Sequence, residues 1–279
     1  MNPDQYCQQK AAPPGSSLHY AFLFLSPERR RAITALHAFL RELEYVVDVV
    51  SDAQLAQTKL AWWRHEVGKL FEASPSHPVT KALLPATGKF PLQAAQLHEI
   101  IEGVALGLTQ TRHLDYAGLA HYCLHTAGAT AQASAGILGY ANPRTAEYAR
   151  KLGTAFRLTR MIREVGADAR RNRIYLPMDE LKKFEVPAAD ILQARHSENF
   201  ARLMKFQAAR AEDLFREAFD TLPAEDRSAQ KAGLILAAIQ RATLAEVERD
   251  GFRVLTHRTS LTPLRKLWLA WKTWASTWH

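Results

Sequence analysis

The chain has 279 residues, enough for one large domain or two small ones, and 47% of them are hydrophobic, enough to bury a sizeable core. A net charge of +8 and a pI near 9.6 favour an anionic partner, while the lack of zinc-finger spacing, an RNP aromatic signature or a long basic arm ranks nucleic acid last. Two cysteines, Cys7 and Cys123, are too few for a disulfide framework, and no apolar run approaches the roughly 20 residues a membrane span needs.

The start "MNPDQYCQQK" is polar, with no apolar signal core. A reduced, cytoplasmic setting is expected, with any membrane contact confined to the surface. Helical spacing then runs through almost the whole chain. "PERRRAITALHAFLRELEYVVDVV" (27–50) has Pro27 near a helix start and Ile33, Leu36, Leu40, Leu43 and Val47 at three- and four-residue steps. Its opening charge run, "PERRR", reads as a solvated first turn. "TKLAWWRHEVGKLFEA" (58–73) repeats the pattern with Leu60, Trp63, Val67 and Leu70. Further helices are expected over 91–108, 115–140, 143–171, 197–222, 228–251 and 263–279, with Pro, Gly, Asn and Ser in the gaps. No period-two strand pattern competes. The expectation is one all-α domain over residues 1–279, a helical bundle around a central cavity.

Two segments differ from ordinary core helix. "AGATAQASAGILGYA" (127–141) is crowded with small residues, which either let helices approach closely or leave room for a long apolar ligand. "PLRKLWLAWKTWASTWH" (263–279) carries Trp268, Trp271, Trp274 and Trp278 at helical spacing beside Arg265, Lys266 and Lys272. That composition suits a helix lying at a membrane surface, or one docked on the bundle through its tryptophans. His121 and His125 are four apart and share a helix face, but no third ligand for zinc is evident near them.

The chemistry-bearing residues fall in two carboxylate pairs at helical spacing. In "RELEYVVD" (41–48), Glu44 and Asp48 are four apart, three residues after Arg41. In "RMIREVGAD" (160–168), Glu164 and Asp168 repeat the spacing, with Arg163 adjacent and Arg160 and Arg157 each a further turn back. Facing helices with paired acids chelate Mg²⁺, which prefers hard oxygen ligands and shares them with phosphate. Arginines grip phosphate oxygens in bidentate fashion. Metal, cations and an apolar pocket together are the parts for ionising an allylic diphosphate. By spacing alone, acid pairs four apart are also what ordinary solvated helix faces carry.

"RLTRMIREVGADARRNRIYLP" (157–177) and "ALHAFLRELEYVVD" (35–48) resemble the second and first metal motifs of the squalene/phytoene synthase family. "GSSLHYAFLFLSPERRRAI" (15–33) resembles its N-terminal substrate segment, and "KLAWWRHEV" (59–67) is also typical. The likeness runs from about residue 4 to about 274, and within the family it points toward the presqualene diphosphate synthases of bacterial hopanoid pathways. It implies an isoprenoid-synthase fold and Mg²⁺-dependent head-to-head condensation of two farnesyl diphosphates through a cyclopropylcarbinyl diphosphate. It implies Glu44, Asp48, Glu164 and Asp168 as catalytic metal ligands. It implies Ser17, Tyr20, His37, Arg41, Arg157, Arg160, Arg163, Tyr175 and Gln240 as substrate-binding residues, and "DARRNRIYLP" (168–177) as a flap over the site. As plain sequence, Ser16 and Ser17 read as a helix N-cap. No dinucleotide fingerprint accompanies the motifs, so a reductive second step has no support.

The departures from the family cluster on the chemistry. Glu44 and Glu164 stand where Asp is usual, Tyr45 and Gly107 where near relatives carry Asp, and Ala167 where they carry Glu. His37 and Gln240 stand where Tyr is usual. Arg160 replaces an Asn and Arg157 a Gln. Glu keeps the charge but extends the ligand by one methylene, and Mg²⁺ tolerates little geometric error. A guanidinium at position 160 repels a divalent ion and pairs with the acids itself. The expectation is a prenyl-diphosphate transferase with a modified Mg²⁺–diphosphate site, partly filled by Arg160. Two alternatives stay open: a non-catalytic lipid-binding or assembly member of the family, and a metal-independent catalyst of another reaction in the same cavity.

Overall fold

The computed structural model describes residues 1–49, 52–110 and 112–276. Two short helices open the chain, α1 (Pro3–Ala11) and α2 (Ser17–Ala21). There follow α3 (Pro27–Val49), α4 (Ala53–Phe71), α5 (Pro78–Lys89), α6 (Ala94–Thr109) and α7 (Tyr116–Cys123). A π-helical turn (Leu124–Gly128) joins α7 directly to α8 (Ala129–Leu138). The long α9 (Arg144–Ala169) leads to α10 (Met178–Lys183), α11 (Ala188–Leu192), α12 (Glu198–Thr221), a 3₁₀ turn (Ala224–Asp226), α13 (Lys231–Arg249) and α14 (Pro263–Ser276). Among the described residues the only β-type pairing is an isolated bridge between Arg112 and Ile174. The fold is the expected all-α bundle.

Except for α4, which starts five residues early, the longer helices lie within about a turn of their expected bounds, because each carries an apolar stripe strong enough to read alone. Four short elements escaped that reading. α1 fully buries only Cys7 and Ala11, too few to show a stripe; an Asn2–Gln5 capping box starts it. α5 holds Pro78 in its first turn and Pro85 inside, and prolines read as punctuation. α10 and α11 span 6 and 5 residues, too short for a period to show. Of the expected tryptophan stripe, Trp278 lies outside the described residues.

α3 and α9 set the site. α3 buries Ile33, Leu36, Phe39 and Leu43 and packs on α1, α5, α6 and α8. α9 packs on α12, α8, α13 and the π turn. Its approach to that turn is close: a Cβ added at Gly153 would sit 2.3 Å from the Ala127 carbonyl oxygen. The small-residue stretch therefore serves both expected ends. Gly128 and Ala129 are buried against neighbouring helices, while Ala127, Thr130, Ala131 and Ser134 line a cavity.

Candidate functional site

A cavity of about 400 Å³ opens between α3, α8, α9 and α13, within the roughly 300–1,000 Å³ of small-molecule sites. Its polarity is graded. Ile33 and Leu40 of α3, Tyr148, Leu152 and Phe156 of α9, Leu138 of α8 and Leu236 of α13 form an apolar tunnel. Further along α3 and α9 the walls become Arg41, Glu44, Arg157, Arg160 and Arg163, joined by Arg258, Ser260 and Lys266. Both helices thus run from an apolar end toward a charged end. α2 closes one side with Ser16, Ser17 and Leu18.

Arg160 links the two motifs. Its Nη1 donates to both carboxylate oxygens of Glu44, at 2.7 and 2.8 Å, and its Nε donates to Glu164 at 2.9 Å. Glu44 also accepts from Arg41 at 2.8 Å and from Arg157 at 2.5 Å. Glu164 also accepts from Arg163 at 2.8 Å and from Arg258 at 2.7 Å. Burial opposes ionisation of both acids, but the arginines overcome it and hold both carboxyls well below the usual range. Arg157 is anchored by the Tyr122 hydroxyl, to which its Nη2 donates at 2.8 Å, and its guanidinium lies 5.2 Å from that ring.

The outer acids take a different course. Arg173, within the expected flap, donates to Asp48 at 3.0 Å and to the Val47 carbonyl, tying the flap to the end of α3. Asp168 is pushed up to about 6 by burial and by the Glu164 charge. Neither Asp48 nor Asp168 lines the cavity, and Glu164 reaches it only through Arg160, Arg163 and Arg258. Gly107 lies against Val47 and the Tyr122 hydroxyl; an added Cβ would meet them at 3.2 and 3.4 Å. Tyr122 therefore fills space beside the position where near relatives carry an Asp.

These donors do not fit Mg²⁺. The ion needs several oxygens near 2.0–2.1 Å in octahedral array. Here the oxygens of Glu44 and Glu164 accept from guanidinium groups, Asp48 is paired to Arg173, and Asp168 is pushed up to about 6. Among the described residues no three His, Cys, Asp or Glu side chains gather as a metal set. Arginines hold three of the four expected carboxylates, Glu44, Glu164 and Asp48, in the place a metal would take, and Asp168 stands apart with its pKa raised. His121 and His125 stand with ring centroids 4.4 Å apart, and His125 Nδ1 lies 3.2 Å from Glu99.

Of the expected substrate-binding residues, Ser17, His37, Arg41, Arg157, Arg160, Arg163 and Gln240 line the cavity. Tyr20 and Tyr175 do not. Tyr20 packs on the main core, and Tyr175 stacks on Tyr122 at 5.8 Å, beside Arg173. Ser16, rather than Ser17, caps α2, accepting from His19 N at 3.1 Å. Burial pushes His37 down to about 4, so it stands neutral in the tunnel, 3.5 Å from Ser134 Oγ. Arg258, Lys266 and Arg173 carry weight that the spacing did not reveal. Arg258 is 94 positions from Glu164, and no local pattern links them.

Among the cavity walls, the six cations Arg41, Arg157, Arg160, Arg163, Arg258 and Lys266 stand against two acids, Glu44 and Glu164, leaving an excess of four positive charges at the charged end. Burial and the neighbouring Arg163 and Arg258 push the Lys266 amine below its usual range, and burial does the same to Arg163. The buried Nε atoms of Arg157 and Arg163, and Gln240 Oε1, have no hydrogen-bond partner. Such a cluster is relieved by a polyanion. An apolar cavity with a cluster of cations at one end, inside an all-α bundle, is the arrangement of the isoprenoid-synthase fold.

The chain belongs to the squalene/phytoene synthase family, whose sequence model matches residues 11–265. It is 28% identical over 276 residues to a phytoene synthase of Arthrospira platensis, covering 94% of this chain and 89% of that one. Against chloroplastic phytoene synthases of maize and rice it spans about two thirds of their length. Among solved structures, a dehydrosqualene synthase in complex with ligand superposes with a TM-score of 0.86 at 23% identity, covering 98% of this chain and 96% of that one. A squalene synthase from Alicyclobacillus acidocaldarius superposes with a TM-score of 0.76 at 20% identity, covering 90% and 94%. The family's members are divalent-metal-dependent prenyltransferases. In this chain the acids Glu44, Glu164 and Asp48 are held by arginines.

Proposed function

We propose that this protein binds a prenyl diphosphate, with its hydrocarbon tail in the tunnel and its diphosphate on the arginine cluster, and that guanidinium groups do there what divalent ions do in its relatives. The observation that carries the reading is Arg160, bridging Glu44 and Glu164 beneath a surplus of unrelieved cations. Farnesyl diphosphate is the ligand the family resemblance favours. Arg41 and Arg163 would contact phosphate, with Arg258 and Lys266 beside them. Ionisation breaks the allylic C–O bond, and the electron pair departs with the diphosphate. Preorganised cations stabilise that departing charge, while the apolar lining shields the allylic cation from water. Attack by the double bond of a second prenyl diphosphate, with loss of a proton, would give the cyclopropylcarbinyl diphosphate of head-to-head condensation.

A second reading is favoured by the same bridge. With Glu44 and Glu164 saturated, the chain acts as a non-catalytic prenyl-lipid binder. One experiment separates the two: farnesyl diphosphate binding and pyrophosphate release, measured in EDTA and again in Mg²⁺, with mass analysis of the extracted lipids. Release in EDTA supports metal-independent transfer. Tight binding without release in either condition supports the binder. Absence of binding sinks both.

A further inference from the structure

We infer that the outer face of α14 docks on an anionic phospholipid bilayer and seats the cavity's charged end beside it. The inference extends the prenyl-ligand reading by naming where the ligand comes from, and rests on that reading only for the ligand's identity. Leu264, Leu267, Trp268 and Trp271 are 79, 40, 53 and 56% exposed. Their spacing of three, one and three residues puts all four on one stripe of the helix. They are a third of the large exposed apolar side chains among the described residues, gathered on one 14-residue element. A scatter of lone surface apolar residues would need no explanation; a stripe does.

The opposite face is already used. Ala270 is fully buried, Leu269 packs on the core, Trp274 stacks on Phe24 at 5.0 Å, and Lys266 Nζ donates to the Gly15 carbonyl at 2.9 Å. So α14 is held by its inner face and leaves a finished apolar face outward. Arg265 and Lys272 flank that face, with Lys272 Nζ 5.0 Å from the Trp268 ring. α14 contains no Asp or Glu. The nearby Glu246 of α13 is paired with both Arg249 and Arg265, at 2.5 Å each.

An apolar stripe edged with cations complements anionic lipid at the headgroup boundary. A second copy of the same face would bring like charges together across a two-fold axis, which disfavours that occupant. No described helix is long and apolar enough to cross a membrane, so the contact lies in the plane of the surface. The position supplies the reason for it. Lys266 of α14, and Arg258 and Ser260 just before it, are walls of the cavity. A water-insoluble tail then passes between bilayer and tunnel beside α14 without crossing bulk water.

The test is co-sedimentation of the full chain with vesicles of phosphatidylcholine alone and of phosphatidylcholine mixed with phosphatidylglycerol, at low and high salt, with no prenyl ligand present. The expected result is binding to the anionic vesicles that high salt weakens. A Trp268→Glu/Trp271→Glu variant is expected to lose about tenfold or more of that binding. Circular dichroism and pyrophosphate binding of the variant should match the parent, since neither tryptophan touches the cavity. Tryptophan fluorescence of the parent should shift to the blue on adding anionic vesicles. Equal sedimentation of variant and parent would overturn the inference, as would no binding at all. A concentration-dependent dimer in sedimentation velocity without vesicles, abolished by the variant, would overturn it in favour of a second copy. Because pyrophosphate binding is read separately, failure of the ligand reading and failure of the docking surface are distinguishable.

Discussion

Arg160 Nη1 lies 2.7 and 2.8 Å from the two oxygens of Glu44, a residue 116 positions away on a different helix. The same guanidinium holds Glu164 through Nε. One side chain therefore satisfies the inner acid of each motif and staples α9 to α3.

Replacing Arg160 with Asn tests whether the staple also excludes the metal. Breaking a buried pair costs about 3–5 kcal/mol when the partner is left alone, but Arg41 and Arg157 still hold Glu44. The expected loss is about 1–3 kcal/mol in urea denaturation. Calorimetric titration should then show Mg²⁺ binding that the parent lacks. An unchanged titration would point instead to Arg173, which holds Asp48 aside.

Inorganic pyrophosphate should stabilise the parent in EDTA. A ligand at a hundred times its Kd adds about 2.7 kcal/mol, a readily measured rise in Tm. Arg163→Ala should weaken pyrophosphate about tenfold or more, since a charge-assisted hydrogen bond is lost from the cluster. A Tm insensitive to pyrophosphate would remove the anion site from consideration.

His37 makes a prediction about pH. Its folded-state pKa is pushed down to about 4 by burial, with Arg41 adding to the effect. An unfolded chain takes up this proton near pH 6.5. Between those values the unfolded state binds the proton and the folded state does not. Stability from His37 is therefore complete above pH 6.5 and falls as the pH drops toward 4, by about 3 kcal/mol in all. His37→Asn should flatten that part of the slope when urea midpoints are compared at pH 7.5 and pH 4.5. An unchanged slope would assign the acid sensitivity to other groups.

Gly166→Ala addresses how Arg258 reaches the site. A Cβ there would stand 2.2 Å from the Leu255 carbonyl oxygen and 2.6 Å from that of Val254, while Gly166 N donates to the same Val254 oxygen at 3.2 Å. The strand of loop carrying Arg258 must move off α9. A loss of about 3 kcal/mol is expected from overpacking, together with weaker pyrophosphate binding. Full affinity in a folded variant would show that Arg258 needs no such seat.

Much of this was legible before any coordinates. The stripe of Ile33, Leu36, Leu40, Leu43 and Val47 on α3 and the apolar residues of α9 are local periodicities, and local periodicity survives in one dimension. The pairs Glu44/Asp48 and Glu164/Asp168, and the threat posed by Arg160, followed from helix geometry and charge. The short elements did not. α5 is marked by its prolines rather than by a stripe, and α1 buries too little to announce itself. Lys266 read only as one basic residue of a tryptophan-rich helix, although its amine turns inward to Gly15 and lines the cavity.

By itself the sequence determined that the chain is helical, that four acids sit on two helix faces, and that guanidinium groups share those faces. These are consequences of spacing within one turn, where backbone geometry leaves little choice. Only the tertiary structure decided which cation meets which acid. Arg160 takes Glu44, Arg258 takes Glu164 and Arg173 takes Asp48, across separations of 116, 94 and 125 residues. Ion pairing depends on distance through space and on how completely water is excluded, and neither is written in the order of residues along a chain.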